Sequence, residues 1–265
     1  MSQQACDLAP LMVALPGPPP LTMSVLDTAA PHDPRSTLLC IHGVGGAKEQ
    51  WLPQIGFFAQ QYRVIAPDLR GHGATAVTKG PYSMQRIIDD LRQLIDAQQV
   101  RTPLALLSHS YGGVIAMELA RSYPELVSQI VLIGVAARFN YGLLFKLATM
   151  APVPGGLLEW GRRRFFARRF HAPAPVMRSL MAQALLPWRG WEQLAQIRQP
   201  VLAIAGKLDV VAPPQAVARL VRELPNARMQ VVLRVKHKIH LQRPTATNRI
   251  IQRFLEETGS NPSQP

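Results

Sequence analysis

The sequence predicts an α/β fold, a mostly parallel eight-stranded sheet with helices on both faces and one helical insertion. Three observations lead there. Short β-rich apolar runs alternate with helix-length amphipathic runs, which is how a mostly parallel sheet is built. The chain has 265 residues, 48% apolar and 17% charged, long enough for one large domain with a well-buried core. The alternation stops once, between about Arg138 and Arg198, where Pro152, Pro154, Pro173, Pro175 and Pro187 cut the chain into short helical pieces.

Taken in order, Leu8 to Leu15 is apolar but preceded by Asp7 and by no Lys or Arg. It lacks the cationic start of a secretory signal and reads as a first edge strand. The remaining strands are expected at Leu21–Asp27, Thr37–Ile41, Arg63–Asp68, Pro103–Ser108, Gln129–Gly134, Val201–Ala205 and Met229–Val235. A helix is expected over Ser83–Gln99, where Met84, Ile87, Ile88, Leu91, Leu94 and Ile95 recur at three and four residues. Others follow at Gly112–Ser122, Pro214–Leu224 and Thr245–Glu257. Residues 1–137 and 199–258 then form the core domain, 138–198 a cap, and 259–265 a disordered tail. No apolar run approaches the ~20 residues of a spanning helix, so a soluble, cytoplasmic protein is expected.

Lys and Arg total 29 against 16 Asp and Glu, a net charge of +13. The excess is regional. Residues 1–137 carry 9 basic and 10 acidic side chains, residues 138–198 carry 10 and 2, and residues 199–265 carry 10 and 4. Such a field attracts acidic partners, membrane surface or nucleic acid, and no nucleic-acid recognition motif accompanies it. Arg162, Arg163, Arg164, Arg168 and Arg169 are the distinctive cluster. At about 100° per residue, 162 falls with 169 and 164 with 168, while 163 stands apart, so the arginines circle the helix. Two readings remain: peripheral contact of the cap with an anionic membrane surface or acidic substrate group, and an ordinary solvated face. Cys6 and Cys40 allow at most one bridge, which fits a reducing compartment.

Ser108-His109-Ser110-Tyr111-Gly112-Gly113 follows the apolar strand Leu104 to Leu107 and opens a helix. A strand turning sharply into a helix strains the turn residue and projects its side chain above the sheet edge. The positions two before and two after it must be small, here Ser108 and Gly112, which are expected to pack against each other. The helix beginning at Tyr111 aims N–H groups and a positive dipole end at charge forming beside Ser110. A second loop, His42-Gly43-Val44-Gly45-Gly46, follows another buried strand. The N–H groups of Val44 and Tyr111 are the expected oxyanion-hole pair. This loop lacks the Lys-Ser/Thr of a phosphate-binding loop and the full Gly-x-Gly-x-x-Gly spacing, which argues against nucleotide binding.

With His42-Gly43, Ala66-Pro67-Asp68-Leu69-Arg70-Gly71-His72-Gly73, the turn at Ser110, Gly206-Lys207-Leu208-Asp209, and His237 with Leu241 and Pro244, the chain resembles the α/β-hydrolase superfamily from Leu21 to Phe254. Trp51, Phe57-Phe58 and Ser-Tyr-Gly at the turn are most similar to the lipase-like α/β-hydrolase-domain proteins, whose better-known relatives cleave monoacylglycerols. The resemblance implies an α/β-hydrolase fold and a serine esterase or lipase.

A serine hydroxyl needs an imidazole to take its proton, and the imidazole needs a carboxylate to set its tautomer. In this fold the chain order is Ser, acid, His, and Ser110, Asp209 and His237 fit it. Positions 138 to 150, the other place where related enzymes put the acid, hold no Asp or Glu. His42, His72 and His109 read as structural hydrogen-bonders, and His32 and His171 as solvated. His240 is the rival base. Relatives usually carry Gly before this histidine and often Glu five after it, where this chain has Lys236 and Gln242. Lys236 and Lys238 add positive charge that disfavours the imidazolium.

The expected reaction is hydrolysis of a small lipid-like acyl ester through an acyl-enzyme on Ser110, with no metal or organic cofactor. Asp at position 110 would instead suit haloalkane or epoxide opening. Phe139, Tyr141, Leu143, Leu144, Phe145, Leu147, Met150, Trp160, Phe165, Phe166 and Met177 are candidates for an acyl pocket or a small cap core. Two alternatives stay open: a C–C bond hydrolase with the same triad, and a non-catalytic binding protein that docks through its cationic cap.

Overall fold

A computed structural model describes residues 8–136, 153–166 and 170–259. Eight strands are present: β1 (Leu11–Leu15), β2 (Leu21–Asp27), β3 (Thr37–Ile41), β4 (Arg63–Pro67), β5 (Leu104–His109), β6 (Val127–Ile133), β7 (Val201–Gly206) and β8 (Ala227–Val232). They form one sheet in the order β1-β2-β4-β3-β5-β6-β7-β8. β1 pairs antiparallel with β2, and β2 with β4, while the remaining pairs are parallel. Every residue of β3, β4, β5 and β7 is buried. Strands covered on both faces read as continuous apolar runs. The edge strands β1 and β8 alternate between exposed and more buried positions.

The helices are α1 (Leu52–Phe58), α2 (Met84–Ala97), α3 (Tyr111–Ser122), α4 (Gly155–Phe166), α5 (Ala174–Leu180), α6 (Pro214–Glu223), α7 (Ile239–Gln242) and α8 (Pro244–Gly259). α2 starts at Ser83, whose side chain accepts from the Arg86 N–H, and it buries Ile87, Ile88, Leu91, Leu94 and Ile95. Period-two alternation divides the sheet residues between two cores. Leu39, Ile41, Leu106 and Leu132 face α2 and α3, whereas Leu38, Cys40, Leu107 and Val131 join Trp51, Phe58 and Phe254 on the other face.

β3 lies between β4 and β5, so the chain leaves it in one direction and returns on its other side. Such a switch point opens a crevice at the carboxyl ends of the strands. Ile41 pairs with Ser108, and Ser108 with Leu132, so the loop after β3 and the turn after β5 emerge at one level. The inserted segment packs over them. His171 N donates to Gly45 O at 2.8 Å and Gly73 N to His171 O at 2.8 Å. Val176, Leu180, Met181, Ala184, Leu185 and Trp188 extend the core on the α2 and α3 face.

Several boundaries differ from expectation. α1 and α7 are additional helices. The last strand stops at Val232 rather than Val235, because Arg234 adopts a φ of 58° and turns the chain. Gly259 closes α8 instead of starting a tail. Cys6, residues 260–265, Arg168, Arg169 and the expected pocket residues Phe139, Tyr141, Leu143, Leu144, Phe145, Leu147 and Met150 lie outside the described residues.

Candidate active site

Ser110 sits between β5 and α3 with φ 53° and ψ −123°, a strained turn of the kind that costs about 1–3 kcal/mol and persists only where its surroundings enforce it. Here Ser110 N donates to Ile133 O at 2.9 Å, and Gly113 N to Ser110 O at 2.9 Å. A Cβ at position 112 would lie 2.3 Å from Ile41 O and 2.7 Å from His42 O. The carbonyls ending β3 therefore impose the glycine. The Ser108 hydroxyl donates to Val131 O of β6 at 2.8 Å.

Asp209 lies beyond β7 and His237 beyond β8. His237 Nδ1 is 2.8 Å from Asp209 Oδ2, and its Nε2 is 2.9 Å from Ser110 Oγ. An ionised carboxylate only accepts, so Nδ1 carries the hydrogen and Nε2 is left to accept the hydroxyl proton. The other carboxylate oxygen, Oδ1, accepts from Val211 N at 2.8 Å and Ala212 N at 3.0 Å. A fully buried Asp209 side chain is thereby held by three donors. Gly134, with φ 62°, places no side chain beside the imidazole, since a Cβ there would be 3.2 Å from His237 Nδ1.

His240, the rival base, is fully buried and stacks on Trp51 with ring centroids 4.8 Å apart. It sits behind His109, at 4.7 Å, rather than against the serine. Burial and the nearby Lys238 push its imidazole down to about 3. His109 lies between His237 and His240, and its Nε2–H donates to His237 O at 3.1 Å. Burial together with its two histidine neighbours holds it well below the usual imidazole range.

His42 accepts from Leu69 N at 2.9 Å through Nε2, while its Nδ1–H donates to Gly43 O at 2.8 Å. His72 accepts from Gly45 N at 3.1 Å, and its Nδ1–H donates to Arg70 O at 3.0 Å. Burial pushes them down to about 4 and about 3. As neutral acceptors they tie the 42–46 loop to the turn after β4. Gly43 lies against the serine, a Cβ there falling 3.0 Å from Ser110 Cβ. The Val44 N–H bonds to no described residue, and Tyr111 is the first residue of α3, directly after Ser110.

Of four supporting side chains, Gln54 and Asn248 escape the sequence reading, while Gln242 and Trp51 enter it only through the family pattern. Gln242 Oε1 accepts from Lys236 N at 2.7 Å. Gln54 Nε2 donates to His240 O at 3.2 Å and to Asn248 Oδ1 at 2.9 Å. Trp51 supplies the stacking surface. Lys236 and Lys238 are exposed. A cavity of about 1320 Å³ lined by Ser36, Arg101, Gln129 and Arg198 opens at the opposite end of the sheet and holds none of the three relay residues.

Geometry of this kind belongs to hydrolases that act through a serine nucleophile. A model of the alpha/beta hydrolase family matches residues 38–250, and the chain belongs to that family. Human protein ABHD8 is 27% identical over 240 residues, which cover 82% of this chain and 54% of ABHD8, so the chain spans about half the length of that relative. RutD of Caulobacter sp. (strain K31), named as a carbamate hydrolase, is 27% identical over 254 residues, covering 85% of this chain and 92% of RutD. A thermophilic esterase from Thermogutta terrifontis has a similar fold, with a TM-score of 0.77 at 21% identity, covering 94% of this chain and 99% of that one.

Proposed function

We propose that the protein is a serine carboxylester hydrolase acting on a lipid-like acyl ester of monoacylglycerol type. The observation that carries this reading is the unbroken relay from Ser110 Oγ through His237 to Asp209, at 2.9 and 2.8 Å. In the first half-reaction Ser110 Oγ attacks the ester carbonyl carbon as its proton passes to His237 Nε2. The Val44 and Tyr111 N–H groups receive the oxyanion. Collapse breaks the bond to the alcohol, which takes the proton from Nε2, and leaves an acyl-Ser110. A water molecule then surrenders a proton to Nε2, attacks the acyl carbon and releases the acid and free Ser110. Asp209 keeps the imidazole in one tautomer and stabilises its cation. Ester preference rests on the serine nucleophile, and the lipid-like preference on the apolar side chains of the insertion that lie against the oxyanion loop, Phe170 and Met177 beside Gly45; Trp160, Phe165 and Phe166, also expected to line an acyl pocket, face solvent instead.

The test is labelling by a fluorophosphonate, together with turnover of p-nitrophenyl and glycerol esters of graded acyl length. Labelling that vanishes in Ser110→Ala, with turnover rising toward longer chains, is the expected result. A folded protein that takes no label is a binding protein on this fold. One that takes label but cleaves only a diketone is a C–C hydrolase.

A further inference from the structure

α4 is built inside out. Facing the protein are charged side chains: Arg162 donates to the two Glu159 oxygens at 2.7 and 2.9 Å and to Phe170 O at 2.8 Å, and Glu159 also accepts from Ala174 N at 2.9 Å. Facing solvent are Leu157, Trp160, Phe165 and Phe166, which are 58%, 59%, 64% and 45% exposed. Arg163, whose Nε also donates to Glu159 Oε1 at 2.8 Å, and Arg164 share that outer surface. Trp160 and Phe165 meet edge to face at 6.0 Å, and the Arg164 guanidinium covers the Phe165 ring at 5.4 Å. No residue of the helix is buried. A helix resting on a soluble core shows the reverse distribution, and contiguous exposed apolar surface marks an interaction site.

Charge identifies the occupant. Residues 138–198 carry 10 basic side chains against 2 acidic ones, and Trp beside Arg is the composition favoured at a headgroup boundary, apolar bodies inward and cations against phosphates. The turning inward of Arg162 also breaks the ring of arginines expected from the sequence and leaves an outer face of aromatics and two cations. We propose that α4 docks this protein onto an anionic phospholipid bilayer, with Trp160 and Phe165 at headgroup depth and Arg163 and Arg164 on lipid phosphates. Docking requires no catalysis, so it stands or falls apart from the esterase reading. It would nonetheless bring the site to its substrate, because Arg162 holds the Phe170 carbonyl and the Phe170 ring lies against Gly45 of the oxyanion loop.

The experiment uses the full chain with extruded vesicles of phosphatidylcholine and of an equimolar phosphatidylcholine and phosphatidylglycerol mixture, read by co-sedimentation and tryptophan emission. Trp51 and Trp188 are buried and Trp191 packs against Trp188 at 4.4 Å, partly buried, so a blue shift lost in Trp160→Phe reports Trp160 itself. Binding to the mixed vesicles, released by high salt, is expected. W160S/F165S should lower partitioning about tenfold, and R163E/R164E about twentyfold at low salt. Ser110→Ala should bind like the parent, and circular dichroism should be unchanged throughout. No binding to either vesicle, equal binding to neutral vesicles, or binding indifferent to both double variants overturns the proposal. So does a dimer of the free chain that W160S/F165S dissociates, which would assign the face to a second copy.

Discussion

Acidification from about pH 7 to pH 5 should remove several kcal/mol of folding stability without protonating His42, His72 or His240 in the folded state. His42, His72 and His240 are fully buried, and their folded values are depressed to about 4, about 3 and about 3. In the unfolded chain each titrates near 6.5. A depressed value means that the unfolded state binds protons first, so stability is intact above the unfolded value and is lost as pH falls toward the folded one. At pH 5 each ring favours the unfolded state by about 2 kcal/mol, against about 0.2 kcal/mol at pH 7. The three together reach about 5–6 kcal/mol, comparable to the whole stability of many domains. His109 adds to the same side. Guanidinium unfolding at about pH 7, 6 and 5 measures the change, and the slope near pH 5 should correspond to uptake of about three to four protons on unfolding. The Cε1–H signals of His42, His72, His109 and His240 in the folded protein should stay at their neutral positions over that range. Uptake of fewer than about two protons, or a shift of any of these four signals near pH 6, would refute the burial of four uncharged rings.

Substitutions at three positions probe the site. Asp209→Asn keeps an oxygen for the Val211 and Ala212 N–H groups but ends the ionised acceptor for His237, so ester turnover should fall about 10³–10⁴-fold with little change in melting temperature; near-parental turnover would mean that the carboxylate does not orient the base. Gly112→Ala puts a methyl group 2.3 Å from Ile41 O and should cost about 3 kcal/mol or more, a loss that denaturant titration would miss only if the end of β3 can retreat. Gln242→Glu retains the acceptor for Lys236 N and should leave kcat within about twofold, whereas Gln242→Leu should cost about 0.5–1 kcal/mol of stability and up to about tenfold in kcat; equal effects from the two would exclude the side-chain oxygen as the reason.

The central strands are legible because burial on both faces leaves apolar runs that admit no amphipathic alternative, as in Val201 to Ala205 and Leu104 to Leu107. The strained turn is legible for a related reason: few pairs of loops place glycines and a serine just after two buried strands. α1 is not, because its buried apolar residues, Ile55 and Phe58, are few and follow the short turn at Lys48–Trp51, giving no helical period to find. The end of β8 is obscured because Leu233 to Val235 reads as more strand, and only a left-handed Arg234 breaks it. On α4 the period is present but the angular arithmetic alone cannot tell inside from outside. The ion pair of Arg162 with Glu159 decides that, and a wheel of side-chain positions carries no information about which partner waits on the core.

The departures from the family pattern at Lys236 and Gln242 acquire a physical meaning once the base's loop is traced. The expected glycine and glutamate are not needed for orientation, because the backbone from Lys236 to His240 is fastened from three sides: Gln242 accepts from Lys236 N, His109 donates to His237 O, and Gln54 of α1 donates to His240 O. A glutamine offers the same accepting oxygen as a glutamate, so the structural part of the role survives while its negative charge does not. The residue just before the nucleophile thus also helps to hold the base. The strand that lifts Ser110 into its strained turn also aims the His109 ring at the carbonyl of the base, and Gly134 leaves the imidazole room to lie between serine and carboxylate. Serine, base and acid come from three separate loops, and their 2.8 and 2.9 Å spacings hold because the base's loop is pinned by neutral groups, Gln242 at the surface and His109 and Gln54 in the interior, rather than by the charges that flank it in sequence.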